Sequence, residues 1–240
     1  MPPQRHRSPA ASGGTSYHSG VSWARSLPAP LRRVGSRLVH AAWEAVGELG
    51  AIGPDDERGR RFGRMGPRAC ILFPQGAIYN EHLIHIGEET IVGPGVSLSA
   101  GMAPGQEMVT DPVVSIGSRC LIGRGSHIVG HWEIVIGDDI QTGPYVYITD
   151  QNHTYEDPVE PIGRQWPTER AVRVGSGSWL GANAVILPGA QIGEHVVVAA
   201  GAVVRGTVPD RCVVAGVPAR VVRRWVDGAG WVDENDVVAP

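Results

Sequence analysis

The sequence predicts an all-β protein: a parallel β-helix built from six-residue repeats and preceded by a helical segment. Three observations carry the prediction. A lead residue, aliphatic everywhere except at Thr142, recurs every six positions. The runs are Ile86, Val92, Leu98; Ile116, Ile122, Ile128; Ile136, Thr142, Ile148; and an unbroken Val174, Leu180, Ile186, Ile192, Val198, Val204. Glycine follows the lead at positions 87, 93, 117, 123, 137, 143, 175, 181 and 193. The fourth residue after the lead is small at Thr90, Cys120, Ser126, Ser178, Ala184, Ala190 and Ala202. A helix repeats every 3.6 residues and a strand alternates in twos, so neither alone produces sixes. A fixed short period marks a solenoid, and a six-residue period marks a parallel β-helix. Each hexad then makes one strand and one turn. The aliphatic residue points to the axis, the small residue fits the corner, and glycine is expected to let the chain bend where a Cβ would clash.

Taken in order, residues 1–29 are rich in Ser, Pro, Gly and Ala without periodicity and read as a disordered tail. Residues 30–66 read as a helical cap and connector. Leu31, Val34, Leu38, Ala42, Ala45 and Leu49 recur at steps of three and four, which predicts an amphipathic helix over 31–49. Gly50 and Gly53-Pro54 end it. Such a helix is expected to cap the first coil, since an open solenoid end exposes apolar core and strand edges. The β-helix is expected over 67–226, followed by a tail over 227–240. Three irregularities break its beat. Residues 103–114 (APGQEMVTDPVV) leave the repeat, and residues 149–173 leave it again around the stretch DQNHTYEDP. The step from Ile128 to Ile136 is eight, which places His131, Trp132 and Glu133 on an irregular turn facing a cleft.

Composition narrows the function classes. The 240 residues carry a formal charge of -3, with 42% hydrophobic residues and a pI near 6.3. That fits one soluble domain with decoration and gives no electrostatic footprint for nucleic acid. No stretch has the length and apolarity of a membrane span. The N-terminus is positively charged but lacks an apolar core, so a secretory signal is not expected. Cys70, Cys120 and Cys212 lie far apart and form no CxxC pair, which reads as reduced thiols in the cytoplasm. All 21 basic residues are arginine.

Three motifs then bring a family into view: VGSGSWLGANAVILPGAQIG at 174–193, VVVAAGAVV at 196–204 and VPDRCVVAGVPARVVRR at 208–224. The segment from Ile86 to Val222 resembles the left-handed β-helix of the hexapeptide-repeat acyltransferases, nearest to the galactoside, maltose and nodulation O-acetyltransferase branch. The resemblance implies a homotrimer with an active site in each cleft between neighbours. Acetyl-CoA, or another short acyl-CoA, is the implied donor. The acceptor is a hydroxyl of a sugar, oligosaccharide or glycolipid precursor. It implies that loop 149–173 carries the catalytic base, and His153 matches the family histidine in type and position. An imidazole titrates near neutral pH and suits the task of taking a hydroxyl proton. Asp150, Glu156 or a backbone carbonyl would orient the ring. A backbone N–H near Ser178–Gly181 would serve the thioester oxygen.

On the same resemblance Asn152, Tyr155, His131 and Trp132 are expected to meet the acceptor. Trp179 is expected to flank the site on both the acceptor and donor sides. The donor would run past Ala182 and Ala200–Gly201 and beside Arg205, with Arg220 and Arg223 toward its phosphates, where the guanidinium fork gives several hydrogen bonds. Two departures stand out. Arg205-Gly206 replaces the family's frequent Thr-Lys. Gly125 and Gly130-His131 replace its acceptor-side asparagine and acidic residues, so the acceptor pocket is expected to be rebuilt. Two other functions compete: N-acetyl transfer to an amino sugar or xenobiotic, and a zinc enzyme of the γ-carbonic-anhydrase kind on the same fold. The zinc reading would use His127 and His131, but their HxxxH spacing is one residue short of that pattern. No metal is expected in the preferred reading. An inert trimeric scaffold is the third alternative.

Overall fold

A computed structural model describes residues 27–234. The tail expected over 1–29 therefore falls almost wholly outside the described residues, as do residues 235–240. The chain divides into two compact units, residues 1–45 and 46–240. The first contains most of a 22-residue helix, Ala29–Gly50, whose side chains are exposed along its length.

The second unit is a parallel β-helix with three flat sheets. Sheet I has seven strands, running Arg64–Met65, Ile84–Ile86, Val114–Ile116, Ile134–Ile136, Val172–Val174, Gln191–Ile192 and Thr207–Val208. Sheet II begins Cys70–Ile71, Ile91–Val92, Leu121–Ile122, Gln141–Thr142, Trp179–Leu180, Val197–Val198 and Cys212–Gly216. Sheet III holds Ile78–Tyr79, Ser97–Ala100, His127–Gly130, Tyr147–Thr149, Val185–Ile186 and Val203–Val204. The chain visits I, II and III in turn, so one coil takes three hexads. In the regular coils each residue stacks on the one 18 positions later, as Val174 does on Ile192 and Leu180 on Val198.

The core is the column that the sixes described. All fifteen lead residues are buried, and so are the seven small residues at the fifth place of the hexad. Fully burying one such Ile, Leu or Val contributes roughly 1.5–3 kcal/mol. Thr142 keeps its place in the column because its hydroxyl accepts a hydrogen bond from the Gly123 N–H at 2.7 Å. The turn chemistry differs in one respect from the sequence reading. The glycine after the lead is demanded by stacking: a Cβ on Gly181 would lie 2.5 Å from the Ala200 nitrogen in the next coil. The bend itself is two residues further on, where Glu89, Arg119, Asp139, Tyr145, Asn183 and His195 take a left-handed backbone.

Both ends extend beyond the sixes. A full coil precedes Ile86, opening at Arg64 with irregular steps that a hexad count does not see. Within this unit Ile52 and Phe62 are buried against the core. Ile52 bridges antiparallel to Ile71, so the connector between the helix and Arg64 helps cover the first coil. At the other end Cys212–Gly216 turns back into Ala219–Val226, which pairs antiparallel with Gly230–Asp233. Part of the expected C-terminal tail is thus a strand.

Candidate active site

All three irregularities leave the prism at one corner, between sheets III and I. Residues 101–113 follow Ser97–Ala100, residues 131–133 follow His127–Gly130, and residues 150–171 follow Tyr147–Thr149. Parallel stacking places them one above another on successive coils. The sequence held the signal: each interrupted run has three lead residues before its break, one per sheet, so every break falls at the same corner.

Asp150 fastens this corner. It is fully buried, and its carboxylate accepts the backbone N–H groups of His131 at 2.8 Å, Trp132 at 2.8 Å and Glu133 at 2.7 Å. The two extra residues of the eight-residue step pull these amides out of the strand ladder, and a carboxylate below them supplies the acceptor they need. Burial pushes the Asp150 carboxyl up, against the three amides and the neighbouring His131 that draw it down. The His131 ring is buried too. Its Nδ1 meets the Glu169 carboxylate, and its Nε2 lies 3.1 Å from the Gln106 amide nitrogen. The Trp166 ring packs edge-on at 6.1 Å. Side chains from both longer irregular segments therefore meet at His131. Gln106, Trp166 and Glu169 were not singled out from sequence, because 25, 35 and 38 residues separate them from their partner.

Loop 149–173 starts as a ribbon, with Gln151–Asn152 antiparallel to Thr168–Glu169. The Thr154 hydroxyl donates to the Trp166 carbonyl at 2.7 Å. Gln165 ties the tip by donating to the carbonyls of Asp157 and Glu160 at 2.9 and 2.8 Å. His153 stands exposed just beyond the ribbon, with Tyr155 also exposed. Among the described residues no hydrogen bond holds the His153 ring. Asp150 does not orient it, because both carboxylate oxygens are committed to the 131–133 amides, and Glu156 makes no bond to it either.

The other predicted residues fall into separate groups. Asn152 and Arg205 share a cleft of 550 Å³ with Thr168, Arg170 and Gly189, beside the same corner. Trp179 is half exposed on the outer face of sheet II. It stands in a column of partners that runs from Gln141 through Trp179, Val197 and Val213 to Arg223. Ala182 and Ala200–Gly201 stack at the II/III corner, where the Gly201 N–H donates to the Ala182 carbonyl at 2.9 Å. A Cβ on Gly201 would meet nothing, so the surface there is open. Arg223 is paired with Asp233 at 2.9 Å, whereas Arg220 bonds only the neighbouring Ala219 carbonyl among the described residues. Three expectations change. His131 is buried rather than presented to a cleft, while Trp132 is exposed and Glu133 partly so. The amides of Trp179 and Gly181 are committed to the carbonyls of Val196 and Val198, so neither is a spare donor for the thioester oxygen. Arg205 stands at the III/I corner, away from Ala182 and Ala200. A larger groove of 660 Å³ on sheet I holds none of the predicted residues. Among the described residues no group of three or more His, Cys, Asp or Glu side chains is placed to hold a metal ion.

Comparison with known proteins adds what geometry cannot. The model of the bacterial transferase hexapeptide (six repeats) matches residues 171–206, and that of the hexapeptide repeat of succinyl-transferase matches residues 113–149. A putative lipopolysaccharide biosynthesis O-acetyl transferase of Escherichia coli, WbbJ, is 34% identical over 155 residues, covering 62% of this chain and 75% of the relative. The chain belongs to the hexapeptide-repeat acyltransferases. Within that family the galactoside O-acetyltransferase of Escherichia coli is 32% identical over 50% of this chain and 62% of its own. A probable acetyltransferase of Mycobacterium tuberculosis, Rv3034c, is 36% identical over 45% of this chain and 36% of its own. Among solved structures, the N-acyltransferase AntD of Bacillus cereus, in complex with dTDP and 3-hydroxybutyryl-CoA, superposes with a TM-score of 0.61. The superposition covers 72% of this chain and 88% of AntD at 21% identity. The fold is the all-β left-handed parallel β-helix of this hexapeptide-repeat family.

Proposed function

We propose that this chain transfers an acetyl group from acetyl-CoA to a hydroxyl of a saccharide-containing acceptor, with His153 as general base in a cleft between two subunits. Acyl-CoA-dependent acetyl transfer follows from the family and from relatives that are themselves named O-acetyltransferases. The subunit cleft rests on one observation. The groups that resemble the base and the groups that resemble the donor site stand at different corners of the same prism. His153 and Asn152 spring from the III/I corner, and Trp179, Ala182 and Ala200 line sheet II and the II/III corner, with sheet III between. A second prism packed against the first brings one subunit's loop to its neighbour's donor face. A homotrimer does this three times around one axis.

In that cleft the imidazole of His153 takes the acceptor hydroxyl proton while the oxygen bonds to the thioester carbon. The C–S bond breaks, and the proton leaves with the departing thiol. Bound acetyl-CoA supplies the acyl group and the thiol leaving group. The exposed ring acquires its orienting partner from the neighbouring subunit or the substrates, since none of the described residues holds it. Arg220, with no carboxylate partner among the described residues, is the readier of the terminal arginines for a phosphate. On the zinc reading His131 would have to give up a partner, since its ring is buried with Nδ1 on Glu169 and Nε2 at 3.1 Å from the Gln106 amide nitrogen.

The test compares wild type with His153→Ala by calorimetric titration with acetyl-CoA, and by thiol release over a panel of saccharide acceptors. The variant is expected to keep its donor affinity and oligomeric mass while turnover falls by roughly 10²–10⁴. Wild-type turnover in the variant would remove His153 from the mechanism.

A further inference from the structure

The helix Ala29–Gly50 carries a charge pattern that acyl transfer does not use. Residues 1–43 contain six arginines, Arg5, Arg7, Arg25, Arg32, Arg33 and Arg37, and no acidic residue. The other 15 arginines and all 24 acidic residues lie beyond, which leaves residues 44–240 at a formal charge of -9. A cationic segment is thus joined to an anionic body.

On the helix itself the charge is sorted by face. At about 100° per residue, Leu31, Val34, Leu38, Val39, Ala42, Ala45, Val46 and Leu49 fall within an arc of about 140°. Arg33, Arg37 and His40 lie opposite, joined toward the C-terminal end by Glu44 and Glu48, and Arg32 and Trp43 flank one edge of the apolar arc. The apolar side chains are exposed, Leu38 by 66% and Val39 by 67%. The helix is not long and apolar enough to cross a membrane. A dimeric or trimeric seam fits the pattern less well. The heptad line through residues 31, 35, 38, 42, 45 and 49 has Gly35, Ala42 and Ala45 at half its places, and leaves Val34, Val39 and Val46 outside it. A wide apolar arc, arginines at its edge and on the opposite polar face, and a tryptophan at its edge fit a helix lying in a lipid interface.

We propose that the Ala29–Gly50 helix docks this protein onto an anionic lipid surface, its apolar arc in the acyl boundary and its arginines among the headgroups. The anionic body contributes no attraction, so the N-terminal segment alone draws the chain to the surface. The reading is independent of the acceptor and of His153.

The test is flotation of the full-length protein with vesicles of phosphatidylcholine alone, or with about one-third phosphatidylglycerol added. Wild type is expected to float with the anionic vesicles only, and to be released when added salt shortens the screening length to a few ångströms. Each arginine at such a surface counts for about a fivefold change in partition. The Arg32→Glu, Arg33→Glu, Arg37→Glu triple variant is therefore expected to bind roughly a hundredfold or more weakly. Leu38→Glu is expected to abolish flotation while leaving oligomeric mass and acetyl-CoA affinity unchanged. Three results each overturn the proposal: no wild-type flotation on anionic vesicles, flotation unchanged in both variants, or a change in oligomeric mass in Leu38→Glu, which would assign the apolar arc to another copy of the chain.

Discussion

Replacing Asp150 by asparagine or alanine tests what holds the candidate active-site corner together. In the native chain one buried carboxylate answers three backbone N–H groups at 2.7–2.8 Å. Asparagine keeps one acceptor oxygen and turns its NH₂ toward at least one of those donors. A buried donor left without a partner costs about 1–3 kcal/mol. Alanine removes both oxygens, but Trp132 is 39% exposed, so water reaches part of the turn. The expected losses are therefore about 1–3 kcal/mol for Asp150→Asn and about 2–4 kcal/mol for Asp150→Ala, read by denaturant unfolding at one fixed protomer concentration. The pH dependence carries a sign. Burial raises the Asp150 carboxyl above its unfolded value, so the folded state holds the proton to higher pH than the unfolded chain. Stability from this group is then full at low pH and declines as pH rises through the folded pKa. The advantage of wild type over Asp150→Asn should shrink as pH rises above the ordinary carboxylate range, about pH 4. An advantage that grows with pH would refute the reasoning, because it would mean that the three amides outweigh burial and hold the carboxyl down.

Further outcomes are expected at neighbouring parts of the fold. Glu169→Ala removes the partner of His131 and frees the second strand of the loop ribbon, so limited proteolysis should cut within 153–167 faster than in wild type. An unchanged cleavage rate would show that the Gln165 and Thr154 bonds suffice. Gly181→Ala puts a Cβ 2.5 Å from the Ala200 nitrogen, and such overpacking should cost about 1–3 kcal/mol and lower the melting temperature. A variant that melts with wild type would mean that the coils spread freely. Arg220→Ala should raise the donor KM roughly tenfold, the loss of one charge-assisted contact, and more than Arg223→Ala does, since Arg223 already pairs with Asp233. Equal effects would reject the distinction between the two arginines.

The sequence by itself determined the prism. A residue that must reach the axis once per strand must recur once per strand, and the period of six records that constraint directly. The same logic marked the corner residues and the family to which the motifs belong, whereas the need for glycine in close stacking came from the coils themselves. The common corner of the three irregularities was also present in the count, as three leads before each break. Tertiary structure alone decided three other matters. It placed the start at Arg64, because the first coil has steps that no longer follow the period. It buried His131 and committed Asp150 to backbone amides, because those partners are joined by coil stacking across 17 to 38 residues rather than by local spacing. It separated the loop with His153 from Trp179, Ala182 and Ala200 on a single chain, because sheet III intervenes. Periodicity reports what every coil must do to close and stack, and the side-chain partners at one corner follow only once the coils are stacked.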